Sequence, residues 1–201
     1  SFAFTLLLLL FINLTGLLLG LLGLALLAQL AVPASMILKR ERTLAHGQAF
    51  KFRTAHVDPY DAFRGRFVAL GFDQNSVVAP PGHDFARGQT VHVLLAEDAD
   101  GFATLGELRR ERPDAAPYLT TKILYVGGDQ VHLRLPFDRF YMDEDAAPAA
   151  ERAYRQNSAS SNRNAYVQVR IEKGFAVLED LYVDGQPIRD YLAAHPQARP
   201  R

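Results

Sequence analysis

Ile123-Leu124-Tyr125-Val126-Gly127-Gly128-Asp129-Gln130-Val131-His132-Leu133-Arg134-Leu135 sets an apolar run on each side of a glycine pair. Glycine reaches the positive φ of a tight turn without steric cost, so this stretch predicts a β-hairpin. Tyr166 to Ile171, then Lys173-Gly174, then Phe175 to Leu178 predicts a second. Working outward, Ala49 to Thr54 and Arg66 to Phe72 alternate with period two, and Val91 to Leu95 is a short apolar run, all readable as strands. Leu181 to Val183 ends at an Asp184-Gly185 turn, and Ile188 to Ala194 reads as a short helix. Gln74 to Thr90 reads as a long surface loop. Residues 143–164 read as an alanine-rich helical segment followed by a serine- and asparagine-rich linker.

These strands suggest a duplication. Leu70-Gly71-Phe72-Asp73 is echoed by Leu135-Pro136-Phe137-Asp138. Gly101-Phe102-Ala103-Thr104-Leu105 is echoed by Gly174-Phe175-Ala176-Val177-Leu178, each copy preceded by a Val-x-Val strand. The expected fold is therefore mainly β. It comprises two related β units, 57–126 and 127–201, packed as a sandwich or partly closed barrel, after a juxtamembrane segment and first strand at 39–56.

The N-terminal stretch is of another kind. No charged residue precedes Lys39, and 28 of the first 38 residues are hydrophobic. About 20 apolar residues cross a hydrocarbon core of about 30 Å, so residues 1–38 predict a single transmembrane anchor. The run exceeds the apolar core of a cleaved signal peptide, typically about 7 to 15 residues. Gly16, Gly20 and Gly23 form a small-residue face that lets a helix backbone approach a partner closely in lipid. Lys39, Arg40 and Arg42 follow directly, and positive-inside bias would hold them in the cytoplasm.

The twenty-two basic and twenty-two acidic residues balance, which gives no field for nucleic acid, and the absence of cysteine excludes disulfides and thiolate chemistry. Six scattered histidines lack metal-ligand spacing, no serine elbow occurs, and Gly127-Gly128-Asp129 lacks the continuation of a phosphate loop. His92 and His132 are expected to be solvent-facing strand residues. Asp58 with Arg64 and Asp138 with Arg139 are expected to be turn ion pairs. No catalytic residue, metal or cofactor is expected.

Val57-Asp58-Pro59 followed by Arg64-Gly65-Arg66-Phe67-Val68-Ala69-Leu70-Gly71-Phe72 resembles the signature of the GDYXXLXY family of bacterial membrane-anchored proteins, which runs V-D-P and then R-G-D-Y-x-x-L-x-Y. The acidic position is Arg66 here, and the two tyrosines are Phe67 and Phe72. Retention of the rings without their hydroxyls favours a structural role for Asp58, Pro59, Gly65, Phe67, Leu70 and Phe72.

The expected role is a non-catalytic accessory or assembly subunit of an integral-membrane complex, with respiratory and photosynthetic complexes among the candidate hosts. Membrane lipid and other membrane subunits are its expected partners. The resemblance argues for a bacterial inner membrane location with the domain in the periplasm, against the charge bias. The alternative is a module that binds a small ligand or envelope polymer through Arg64, Arg66, Tyr125 and Tyr141. A third reading, a hydrolase working through dispersed acidic groups and histidines, has Asp58 and Asp138 as its test positions.

Overall fold

The computed structural model describes residues 2–55, 67–158 and 163–195, with side chains from Phe11 onward except 12 and 13. The chain divides into two units, residues 1–42 and 43–201. Helix α1 runs over Phe2–His46, so it continues past the expected anchor end at 38. Lys39, Arg40, Glu41 and Arg42 are good helix formers, and the helix stops where Gly47 enters. Gly47 N–H donates to the Thr43 carbonyl at 2.8 Å, and a Cβ at Gly47 would run into that same oxygen.

The second unit is β-rich. Its elements are β1 (Gln48–Ala55), β2 (Phe67–Ala69), β3 (Gly71–Phe72), β4 (Ser76–Val78), β5 (Thr90–Glu97), β6 (Ala103–Arg109), β7 (Tyr118–Gly127), β8 (Gln130–Arg134), β9 (Arg139–Tyr141), α2 (Ala147–Ser158), β10 (Ala165–Glu172), β11 (Phe175–Val183), β12 (Gln186–Pro187) and α3 (Ile188–Ala194). One five-stranded sheet has the order β12-β11-β10-β1-β3, and a second has β4-β8-β7-β5-β6. A ribbon of β2 and β9 accompanies them. All these pairings are antiparallel, and the body is a partly closed barrel with a short C-terminal helix.

Alternation explains the inward faces. Phe50 and Phe52 of β1, and Ala165, Val167, Val169 and Ile171 of β10, are buried, while Lys51 and Arg53 point outward. The predicted hairpins form with two-residue turns. Gly127 lies opposite Gln130, with Gly128 at φ 63°. Lys173 and Gly174 take φ 49° and 79°, and Asp184 and Gly185 take 53° and 77°. Helix α2 forms in the alanine-rich segment and buries Ala149, Ala150, Ala153 and Tyr154 against the sheets. The Tyr154 hydroxyl donates to the Ala55 carbonyl at 2.9 Å and accepts from Gly71 N–H at 3.1 Å, fastening the end of β1 to β3.

The duplication is present in the pairing, but the copies are interleaved. β1 does not join its own copy's hairpin: it pairs with β10 of the β10–β11 hairpin. Reciprocally, β7 pairs with β5 of the β5–β6 hairpin. Each exchange leaves one isolated parallel bridge, Lys51 with Phe102 and Leu119 with Gly174. Phe67 lies opposite Tyr141, and Ser76 lies opposite His132. The offset that carries Leu70 to Leu135 also carries Phe67 to His132 and Ser76 to Tyr141, so the two ribbons are copies of each other across a local dyad. At that dyad the Phe72 and Phe137 rings meet edge-on at 5.2 Å, and Phe52 packs on Phe137 at 4.9 Å.

Two expectations are corrected. A unit boundary at 126/127 would cut the β7–β8 hairpin, because the second copy begins with β7, and β1 belongs to the first copy. The segment from Gln74 to Thr90 is not loop throughout: β4 forms inside it because Val77 is buried and β8 offers a free edge.

Candidate functional site

The two exchanges create two places where the sheets meet, and their side chains differ. At the bridge between Leu119 and Gly174 the space is filled. Thr120 N–H donates to the Gly174 carbonyl at 2.9 Å. A Cβ at Gly174 would collide with Thr120 Oγ1 and the Tyr118 ring. His92 packs here as well, only 6% exposed, its Nδ1 2.9 Å from Thr120 Oγ1 and its ring edge-on to Tyr118 at 5.3 Å. Burial first, and the positive charge of Arg112 second, hold the His92 imidazole below its ordinary pKa. His92 is therefore a buried, hydrogen-bonded residue and not the solvent-facing one expected.

At the bridge between Lys51 and Phe102 there is instead a cleft of about 380 Å³ with a charged rim. Phe52, Ala103 and Leu105 line it together with Arg53, Asp73, Gln74, Asp98, Asp100, Thr104 and Arg163. Arg53 comes from the outward face of β1. It pairs with Asp98 through Nη1 and with Asp100 through Nη2 at 2.6 Å, while its guanidinium lies 4.1 Å from the Phe102 ring centroid. Asp98 also accepts from the N–H groups of Phe102 and Asp100, each at 2.9 Å, so it organises the turn between β5 and β6. The Phe102 hydrogen bond chiefly, with those from Arg53 and Asp100, holds the Asp98 carboxyl below the usual carboxylate range. Across the cleft Arg163 faces Asp73 at 3.3 Å. The Gln74 amide makes two bonds to Leu105, donating to its carbonyl at 3.0 Å and accepting from its N–H at 2.8 Å. That pair occupies the position of a neighbouring strand's peptide group.

The residues singled out from sequence fare unevenly. Asp58, Pro59, Arg64, Gly65 and Arg66 lie outside the described residues. Leu70 is buried, Phe72 packs on the core, and Phe67 lies against Tyr141 at 5.7 Å. Tyr125 and Tyr141 are half to two-thirds exposed. Tyr125 stacks on His132 at 4.1 Å, Tyr141 lies on the β2–β9 ribbon, and no described cleft has either in its wall. Asp138 lines a smaller cleft with Leu70, Phe72 and Arg134. Gly16, Gly20 and Gly23 have nothing within 4 Å of where a Cβ would stand. Among the described residues no cluster of His, Asp and Glu has metal-binding geometry. Sequence reading missed the cleft because its members are scattered from Arg53 to Arg163. The one local signal was Asp98-Ala99-Asp100-Gly101, an acidic turn ending in a positive-φ glycine.

A long apolar helix joined to a duplicated, strand-exchanged, partly closed barrel defines a membrane-anchored β-domain protein. The signature of the GDYXXLXY proteins matches residues 29–181, and the chain belongs to that family. No curated protein and no solved structure matches it.

Proposed function

We propose that this protein is a non-catalytic accessory or assembly subunit of an integral-membrane complex, held by α1 and acting through contact surfaces. The observation that carries the reading is the bare helix. Leu14–His46 is long and apolar enough to cross a membrane, and its most apolar window has no buried residue. Leucines from 14 to 38 are 51–70% exposed, and the glycine face is open. From Phe2 to Leu38 the uncharged helix would span about 55 Å at about 1.5 Å per residue, well beyond a hydrocarbon core of about 30 Å. Tilt absorbs only part of that excess, and helices of other subunits would cover the remainder.

Purification of the full chain in mild detergent tests this. A stoichiometric larger assembly that Gly20→Leu disperses is the expected result, and a clean monomer overturns it. The domain is proposed to face the periplasm from a bacterial inner membrane. Because the chain has no cysteine, Ser160→Cys gives a unique thiol. Its labelling by an impermeant reagent in intact spheroplasts supports that side, and protection refutes it.

A further inference from the structure

The two strand exchanges give two junctions between the sheets, and these differ in character. Where β7 meets the β10–β11 turn, Thr120 and the Tyr118 ring fill the space beside Gly174. Where β1 meets β6, Arg53, Asp73, Asp98, Asp100 and Arg163 line an open cleft. One junction is thus closed by packing, and the other holds five charged groups around an open space.

We propose that this cleft binds a neutral, polyhydroxylated ligand about the size of a disaccharide. The volume of about 380 Å³ lies within the range of small-ligand sites. Each guanidinium already faces a carboxylate, Arg53 with Asp98 and Asp100, and Arg163 with Asp73. Three carboxylates against two guanidiniums repel an anion, and a cation would meet both arginines as it entered. A hydroxyl group suits the rim, because it donates to a carboxylate while accepting from the neighbouring guanidinium. Phe52, Ala103 and Leu105 supply an apolar floor for the C–H face of a sugar ring. Asp73 and Arg163 form the rim that contacts ligand, and Phe102, stacked on Arg53, is a positioning residue.

The test uses the full chain in a detergent without a sugar headgroup, with maltose and N,N′-diacetylchitobiose as probes followed by ligand-observed NMR. Saturable binding of at least one disaccharide is expected. Arg163→Ala or Asp73→Ala weakens it at least about tenfold, the loss expected for a hydrogen bond to a charged group, and Tyr125→Ala leaves it unchanged. Arg163 is 63% exposed in its side chain, so its replacement leaves the fold intact. Absence of saturation by both sugars at millimolar concentration overturns the proposal. Affinity untouched by Arg163→Ala, or tighter binding of inorganic phosphate or glycylglycine than of either sugar, also overturns it.

Discussion

Replacing Gly174 by alanine tests whether the two sheets are locked together where β7 meets the β10–β11 turn. Two separable costs act there. Gly174 holds φ 79°, a left-handed conformation that costs an alanine about 1–2 kcal/mol. The new methyl also enters space held by Thr120 Oγ1 and the Tyr118 ring, whose Cδ2 stands 3.0 Å from it. Overpacking in a filled site adds about 1–3 kcal/mol. Thr120 cannot simply move aside, since its N–H is bonded to Gly174 and its hydroxyl to His92. The total is about 2–5 kcal/mol. Gly128→Ala isolates the first cost, because Gly128 has φ 63° and nothing within 4 Å of its Cβ position. Urea unfolding of the detergent-solubilised full chain, followed by far-UV circular dichroism, measures both. Gly174→Ala should lower the midpoint clearly more than Gly128→Ala. Equal shifts would show that the packing at this junction is slack and refute the reasoning.

Tyr154→Phe keeps the buried ring but removes the hydroxyl that bonds Ala55 and Gly71. A loss of about 1–3 kcal/mol is expected in the same unfolding assay, and a loss under about 0.5 kcal/mol would mean these ends need no fastening. His92 predicts acid sensitivity. Its folded pKa lies below the ordinary value of about 6.5, so the unfolded chain binds the extra proton. Stability is thus level above about pH 6.5 and falls as pH drops from there toward the folded pKa. The groups facing His92 are Tyr118 and Thr120 on β7, Arg109 opposite on β6, and Arg112 beyond it. The denaturation midpoint should fall between about pH 7.5 and 5.5, and His92→Gln should flatten that fall; an unchanged slope counts against His92 as its source.

What could be read from the sequence was local, and what could not was long-range. Period-two alternation and Gly-containing turns announced β7–β8 and β10–β11, because those pairings close within two residues. The repeated Leu-x-Phe-Asp announced two copies, since Leu70 with Leu135 and Phe72 with Phe137 fill one core. Nothing local announces that β1 passes over its own copy to pair with β10. An inward Phe50 and Phe52 suit either partner sheet equally well. The same limit hid the cleft, whose ion pairs join residues 45 to 90 positions apart. His92 was misread because alternation places it correctly on a strand but does not reveal that Tyr118 packs on its ring and Thr120 bonds it.

Strand exchange has a consequence that separates this architecture from two β units merely packed face to face. In the packed arrangement residues 43–117 would hold their own sheet. In the exchanged one, β1 loses all six of its register partners on β10, Gln48 with Ile171 through Arg53 with Tyr166. Phe50 and Phe52 then lie open to water, at about 1.5–3 kcal/mol each. β5 keeps β6 but loses five partners on β7, from Thr90 with Lys122 to Leu94 with Tyr118. A lone two-stranded hairpin is marginal in water, so the fragment 43–117 should be unfolded by circular dichroism and proton NMR. Mixing it with the fragment 118–201 should restore dispersed spectra and one cooperative transition, because each supplies the strand the other lacks. A cooperatively folded 43–117 fragment alone would show that the first copy closes on itself and that the exchanged pairing is wrong.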